Sequence, residues 1–211
     1  MILLTVSTVC DAADETQKDE ALWPLGPELV FAARAGLVNL PNRSSANTYF
    51  NWTPKKQERD WKYIVIHHSA TGSGSVESIH NQHRQRRDAS GVSWLGIGYH
   101  FVIGNGSGMD DGEVEATFRW RQQIHGAHSG SATHNATGIG ICLIGDFQKH
   151  QPSTQQINAL TSLVSQLARR YSLSASSIIG HNKVKPTFCP GRNFPLEQVI
   201  SRALGRQAAG T

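Results

Sequence analysis

The prediction of the fold starts from the run Tyr63-Ile-Val-Ile-His-His68, which is followed by the small residues Ser69-Ala-Thr-Gly72. A short run of β-branched and other apolar residues bounded by such a turn-forming segment predicts a buried strand that leads into a loop. The two histidines therefore fall at the end of a predicted strand.

Further strands are predicted on the same grounds. An apolar run predicts a second strand, a Gly/Asn/Asp cluster closes it, and the next short run completes a hairpin. Two later apolar runs predict a strong third strand and a last short one that leads directly into Gly180-His181. The second strand is predicted at Gly98–Ile103, the turn cluster at Gly104–Gly112 and the rest of the hairpin at Glu113–Phe118. The two later strands are predicted at Ile139–Ile144 and Ile178–Ile179.

Helices are predicted between the strands. One is expected over Val76–Arg87, and Ser153-Thr-Gln-Gln156 matches a capping box at the start of a longer one. That helix carries one apolar stripe with steps of three and four residues, formed by Ile157, Leu160, Val164, Leu167 and Tyr171. The alternation of strands and helices predicts an α/β or α+β fold, with a central mixed β-sheet flanked by helices.

Residues 1–60 are interpreted as a signal-like segment with a linker, and residues 61–205 as the main domain. Met1–Cys10 is apolar but lacks a basic start, so it is compatible with the tail of a secretory signal or with a lipid anchor on Cys10. We therefore expect a location in the cell envelope or outside the cell, with the cytoplasm as the alternative. No other stretch has the apolar length of a membrane span.

Charge and cysteine content limit the function classes. A net charge of +4 favours an anionic partner, but the basic cluster His83–Arg87 has no interleaved aromatic residues, so we predict a solvated helix face and no nucleic-acid partner. Three cysteines exclude a disulfide framework. Cys142 lies in an apolar run and is predicted to be a buried, inert thiol.

Three residues could form a metal centre. Catalytic zinc usually has three protein ligands drawn from His, Cys and carboxylates, with a fourth position left for water. His67 and His181 each follow a predicted strand, and Cys189 comes eight residues after His181, so the loop can fold back onto one ion. A single histidine or cysteine is more often a structural residue. The prediction therefore depends on the combination.

Four motifs occur in a fixed order along the chain, and together they are specific: Ile66–Thr71, Gly98–Phe101, His134–Ile141 and Gly180–Pro190. In these motifs the chain resembles the type 2 N-acetylmuramoyl-L-alanine amidases over about residues 63–195. This zinc family includes the small phage lysozyme-like amidases and the peptidoglycan recognition proteins. The resemblance implies Zn²⁺ bound by His67, His181 and Cys189, with His68 as a non-ligand.

The resemblance also implies roles for residues around the metal. Tyr99 and Thr187 would face the substrate carbonyl, Tyr99 to hold or deprotonate the attacking water and Thr187 to stabilise the oxyanion. A cysteine bound to zinc as thiolate cannot also be the nucleophile, so we reject a cysteine-protease mechanism. Weaker expectations concern substrate contacts by His128, Asn135, Glu115 and Trp94, of which Trp94 would either stack on a sugar or pack in the protein.

The implied reaction is hydrolysis of the amide between the lactyl group of N-acetylmuramic acid and L-alanine, with peptidoglycan or muropeptides as partners. One alternative is a peptidoglycan-binding protein without turnover, and another is an intracellular amidase that acts on soluble muropeptides. Because some relatives that only bind have lost the cysteine ligand, the presence of Cys189 favours an enzyme. Residues 104–112 form a longer turn than in the family, which leaves the register of Glu115 open.

Overall fold

A mixed five-stranded sheet forms the centre of the computed structural model, which describes residues 52–88 and 90–208. The strands are β1 (Tyr63–His68), β2 (Phe101–Ile103), β3 (Val114–Ala116), β4 (Gly138–Leu143) and β5 (Ile178–Gly180). Their order is β3-β2-β4-β1-β5, and β3 alone runs antiparallel to its neighbour. The predicted central mixed sheet with helices is thus confirmed.

In the described part of the chain, five α-helices accompany the sheet: α1 (Val76–Arg84), α2 (Phe118–Arg121), α3 (Ala132–Thr137), α4 (Thr154–Arg170) and α5 (Leu196–Ala208). The capping box on Ser153 forms as predicted, with the hydroxyl accepting from Gln156 N at 3.0 Å. Helix α1 ends three residues earlier than predicted, because the chain turns back on itself there. Arg87 pairs with Ser93, and Arg86 O accepts a hydrogen bond from Trp94 N at 3.0 Å.

The two faces of the sheet have different partners because side chains alternate along each strand. Ile64 and Ile66 of β1 belong to the larger core, together with apolar residues of α4 and α5. Val102 and Cys142 lie on the opposite face, in a smaller cluster that includes Ile79 of α1. The register aligns Val102, Cys142 and His67 in one row, so His67 lies on this second face.

Strand β2 starts three residues later than the sequence predicts. The preceding backbone is buried, but its carbonyls accept hydrogen bonds from outside the ladder: Ile97 O from Arg119 Nε at 2.6 Å, Gly98 O from Ala127 N at 3.0 Å, and Tyr99 O from Thr117 Oγ1 at 2.7 Å. Each buried backbone group needs a hydrogen-bond partner, and here side chains and a loop backbone group are those partners. The segment is therefore held without being part of the strand.

Residues 52–60 lie against the main domain. The ring of Trp52 packs edge-on against Phe101 at 5.4 Å, and its carbonyl accepts a hydrogen bond from Trp120 Nε1 at 2.6 Å. Glu58 forms an ion pair with Arg170 of α4 and accepts from Tyr171 Oη at 2.5 Å. Of the predicted 1–60 extension, residues 1–51 lie outside the described residues, and the remainder contacts the domain.

We expect a chain that begins at Trp61 to be less stable than one that begins at Trp52. The shorter chain loses the packing of Trp52 and the bond to Trp120, which together amount to about 2 kcal/mol. Urea denaturation of both chains measures the difference. Because Glu58 is exposed, Glu58→Gln in the longer chain should shift the midpoint much less, and equal midpoints for the two chains would contradict this account.

Within the described residues, no helix combines the length and the apolar character needed to cross a membrane.

Candidate metal centre

The end of β1 directs its two histidines to opposite faces of the sheet. His67 points to the face that carries Cys142, whereas His68 points to the face of the larger core, where its Nδ1 accepts a hydrogen bond from Phe147 N at 3.1 Å. The alternation of strand side chains thus separates the two residues physically. Only His67 can meet residues that gather on the second face.

Two more candidate metal ligands lie near His67, in the segment that follows β5. His181 directly follows β5, and the loop after it returns so that Asn182 N bonds to Cys189 O at 2.8 Å. One ligand atom from each of His67, His181 and Cys189 lies within 4.8 Å of the others, and all three side chains are at most 1% exposed. The three predicted ligands therefore converge in a group that could hold one metal ion.

A chain of hydrogen bonds fixes the protons on two of the histidines. His128 Nε2 lies 3.2 Å from Gly138 O, which can only accept, so His128 donates there. Burial holds the pKa of His128 well below its usual range, so the ring is neutral and its Nδ1 must accept. That Nδ1 lies 2.9 Å from His67 Nε2, which is therefore the donor. The remaining nitrogen of His67, Nδ1, is left with a lone pair and lies 3.7 Å from Cys189 Sγ.

A hydrogen bond also orients the ring of His181. Its Nε2 donates to Ser129 O at 3.0 Å, so in the neutral ring the lone pair lies on Nδ1. This Nδ1 is fully buried and has no hydrogen-bond partner among the described residues. A buried acceptor without a partner costs about 1–3 kcal/mol, and a bound metal ion would remove that cost. The residues present therefore fit a metal ion.

The sulfur of Cys189 also lies in surroundings that suit a ligand. The backbone N–H of His68 donates to Cys189 Sγ at 3.3 Å. A hydrogen bond to sulfur favours the thiolate, which is the form that binds metals.

His128 and Asn135, predicted to line the substrate groove, lie beneath the ligands, and they are 1% and 5% exposed. Asn135 Oδ1 accepts from His128 N and Ser129 N, each at 2.9 Å. These bonds fix the turn that carries the His128 ring and the Ser129 carbonyl, the hydrogen-bond partners of the two ligand histidines. We propose that these two residues act on the metal ligands rather than on the substrate.

Gly140 of β4 makes room for His128. A Cβ atom at this position would lie 2.5 Å from His128 Cδ2, closer than side-chain atoms approach. Any larger residue there would displace the ring that supports His67.

Tyr99 and Thr187 both lie beside the ligands. The Tyr99 ring is 5.1 Å from the His67 ring and is 5% exposed. Thr187 is partly exposed, and its Oγ1 accepts a hydrogen bond from Cys189 N at 3.3 Å. Of the two predicted catalytic residues, Tyr99 thus lies against the predicted ligand His67, and Thr187 is bonded to the backbone of the predicted ligand Cys189.

Glu115 and Trp94 lie further out. Glu115 occupies the same row as His67, but β2 and β4 separate them, which corresponds to about 14 Å. Burial, followed by the charge of Glu113, raises the pKa of Glu115 above its usual range. Trp94 packs edge-on against His83 at 5.5 Å and lies under the guanidinium of Arg86 at 5.4 Å. Direct contact of either residue with substrate stays a prediction.

One supporting group was missed by the sequence analysis. Ser129 acts through its backbone carbonyl. Because every residue has this group, the residue type gives no sign of the role. His100 is fully buried, where its Nδ1 accepts from Gly140 N at 3.0 Å and its Nε2 donates to Ile124 O at 3.1 Å. Burial lowers the pKa of His100 to about 3.

We expect acid to destabilise the protein through His100. Because its pKa falls from 6.5 to about 3 on folding, the unfolded chain takes up a proton first, and stability is lost as pH drops below 6.5. The loss between pH 7 and 4 is on the order of 3 kcal/mol. Denaturant unfolding at several pH values measures it. His100→Gln should be less stable at pH 7 yet lose less on acidification; parallel curves for the two proteins would contradict the assignment.

Comparison with known proteins identifies a protein family that matches this chain. The sequence profile described as N-acetylmuramoyl-L-alanine amidase matches residues 57–192. Peptidoglycan-recognition protein SC2 of Drosophila melanogaster is 32% identical over 138 residues, which cover 63% of this chain and 69% of that protein.

Solved structures show the same fold. The N-acetylmuramoyl-L-alanine amidase LysC from Clostridium intestinale URNW superposes with a TM-score of 0.56 at 28% identity, covering 74% of this chain and 94% of LysC. Bumblebee PGRP-SA gives a TM-score of 0.52 at 27% identity, covering 70% and 89% of the two chains. The similar proteins therefore include one named for amidase activity and others named for recognition.

Proposed function

Since the chain belongs to the family of N-acetylmuramoyl-L-alanine amidases, we propose that it is a zinc-dependent amidase. Its reaction would be hydrolysis of the amide that joins the lactyl group of N-acetylmuramic acid to L-alanine of the stem peptide. The observation that carries this proposal is the buried His67–His181–Cys189 group, in which His181 Nδ1 has no partner among the described residues.

The donor set favours Zn²⁺. Two imidazole nitrogens and one thiolate are ligands that zinc prefers, and three protein ligands leave a fourth position open. When bound, zinc would polarise the scissile carbonyl and lower the pKa of a coordinated water towards about 7. His67, His181 and Cys189 would hold it.

Two residues beside the ligands would act on the reacting groups. The Thr187 hydroxyl accepts a hydrogen bond from Cys189 N, and its own hydrogen can be donated to the carbonyl oxygen of the substrate as negative charge develops there. Tyr99, next to His67, would orient the attacking water. In its phenolate form it would take the proton that the water loses and pass it to the nitrogen of the scissile amide. The C–N bond then breaks, giving a lactyl carboxylate and a stem peptide with a free amino terminus.

The supporting hydrogen bonds favour an enzyme over a protein that only binds peptidoglycan. Binding of a glycopeptide needs a groove, but it does not need histidine tautomers fixed towards one point. Here His128 and the carbonyl of Ser129 set both ligand histidines with Nδ1 towards the centre. Such outer partners raise metal affinity by about 10–100-fold in zinc enzymes.

Peptidoglycan suits the chain as a substrate. Stem peptides carry carboxylates, and the net charge of +4 would attract them. Relatives of the chain are named for peptidoglycan recognition. We propose action at the cell envelope or outside the cell, a prediction that depends on residues 1–10, which lie outside the described part.

Digestion of purified peptidoglycan tests the proposal. The zinc-loaded protein should release stem peptides that begin with L-alanine, which mass spectrometry identifies. If the glycopeptides stay intact while the protein sediments with the wall, the binding alternative holds. If soluble muropeptides are cleaved and the insoluble wall is not, the protein belongs to muropeptide turnover instead.

A further inference from the structure

The segment that carries Tyr99 lies outside the sheet ladder and is held from one side by α1. Residues 96–100 are all buried, so the backbone N–H groups of Ile97 and Gly98 need acceptors within the protein. Both acceptors are histidine side chains. His83 Nδ1 accepts from Gly98 N at 3.1 Å, and His80 Nδ1 accepts from Ile97 N at 3.4 Å.

The two histidines are three residues apart, and so they share one face of α1. Gly96 permits their close approach, because it has a φ of +123° and a Cβ there would lie 2.3 Å from the His80 ring. The backbone before Tyr99 is thus fitted to this helix face, and its conformation depends on both acceptors.

His83 also contacts Tyr99 itself. It is 6% exposed, and its ring lies 5.7 Å from the Tyr99 ring on one side and 5.5 Å from the Trp94 ring on another. Tyr99 in turn lies 5.1 Å from His67. We propose that His83, supported by His80, is a positioning residue that holds Tyr99 against the metal centre, an inference that rests on the proposed function of Tyr99.

This arrangement requires the neutral form of both rings. A neutral imidazole accepts at Nδ1 when its proton is on Nε2, whereas the protonated ring donates at both nitrogens and cannot accept from Gly98 N. The cationic groups that face His80 are Arg84 of α1 and Arg119 of α2, and Tyr99 faces His83. Acid would therefore release the segment that carries Tyr99.

Two substitutions of His83 test the role of its hydrogen-bond acceptor separately from the role of its ring size. His83→Asn keeps an acceptor near the position of Nδ1 but does not titrate, and His83→Phe keeps the ring but cannot accept. We expect kcat on a muropeptide to fall about 10- to 100-fold in the phenylalanine variant and at most about threefold in the asparagine variant. Zinc affinity should be unchanged in both. Exposed His150 provides a control, and His150→Asn should behave as wild type.

A second measurement reports on Tyr99 without turnover. In protein labelled with 3-fluorotyrosine, the ¹⁹F signal of Tyr99 is the one lost in Tyr99→Phe. It should keep its position in His83→Asn and shift or broaden in His83→Phe. On acidification it should move less in His83→Asn than in wild type, because only His80 is then left to take up a proton.

The two measurements distinguish the failure of each proposal. An unchanged ¹⁹F signal in His83→Phe, or an asparagine variant that loses as much kcat as the phenylalanine variant, would overturn the positioning role. A protein that binds zinc and shows the expected ¹⁹F pattern but does not cleave muropeptides would overturn the proposed reaction and leave the positioning of Tyr99 intact.

Discussion

Replacing Cys189 with alanine should strongly weaken zinc binding and amidase activity together. Cys189 supplies one of the three donors, and structural zinc sites with four ligands are worth about 10–16 kcal/mol, or roughly 3–4 kcal/mol for each ligand. Loss of one donor should therefore weaken zinc binding by about 10²–10³-fold. Turnover at limiting zinc should fall by at least as much.

Cys142 is a matched control for this substitution. It is a buried cysteine in the strand next to β1, directly paired with His67, but it does not belong to the ligand group. Cys142→Ala should cost some stability and keep wild-type zinc affinity. Competition with a chromophoric chelator measures the affinity of each protein, and a Cys189→Ala variant with wild-type affinity would remove Cys189 from the ligands.

The second large effect concerns His128, which has no access to solvent and acts through His67. Replacing it with phenylalanine removes the acceptor for His67 Nε2 and leaves that N–H buried without a partner. His67 can then place its proton on either nitrogen or turn away from the centre. We expect zinc affinity and kcat/KM to fall by about 10–100-fold.

His128→Asn retains an acceptor near Nδ1 and should recover much of the lost zinc affinity. A suitable control is His134→Ala, because His134 lies on α3, is partly exposed, and bonds to Ser131 rather than to a ligand. If His128→Phe binds zinc as tightly as wild type, the hydrogen bond between the two rings does not support the metal centre.

Local sequence patterns predict the sheet and the positions of the ligands. The apolar runs that became β1 and β4 are rich in β-branched residues, and the β1 run is followed by a turn-forming segment that places His67 at a strand end. Strand alternation also explains in physical terms why His67 rather than neighbouring His68 faces the centre. Such features are local, so they are visible in the residues themselves.

The supports of the site could not be predicted in this way, because they depend on contacts between distant segments. The apolar run from Gly98 favours a strand, but α1 and Arg119 take up the backbone groups of residues 97 and 98, which shortens β2. His128 was expected in the groove on the basis of family resemblance. Its burial against His67, 61 residues away, follows only from the fold.

The most direct test of the central claim uses one defined muropeptide, N-acetylmuramic acid linked to a stem peptide. The protein is first stripped of metal with a chelator and then assayed before and after addition of equimolar zinc, with Cys189→Ala treated identically. We predict that mass spectrometry finds free N-acetylmuramic acid and a peptide starting at L-alanine only for the zinc-restored wild type. Equal cleavage by the stripped protein or by Cys189→Ala, or an intact muropeptide after zinc is restored, would contradict the claim.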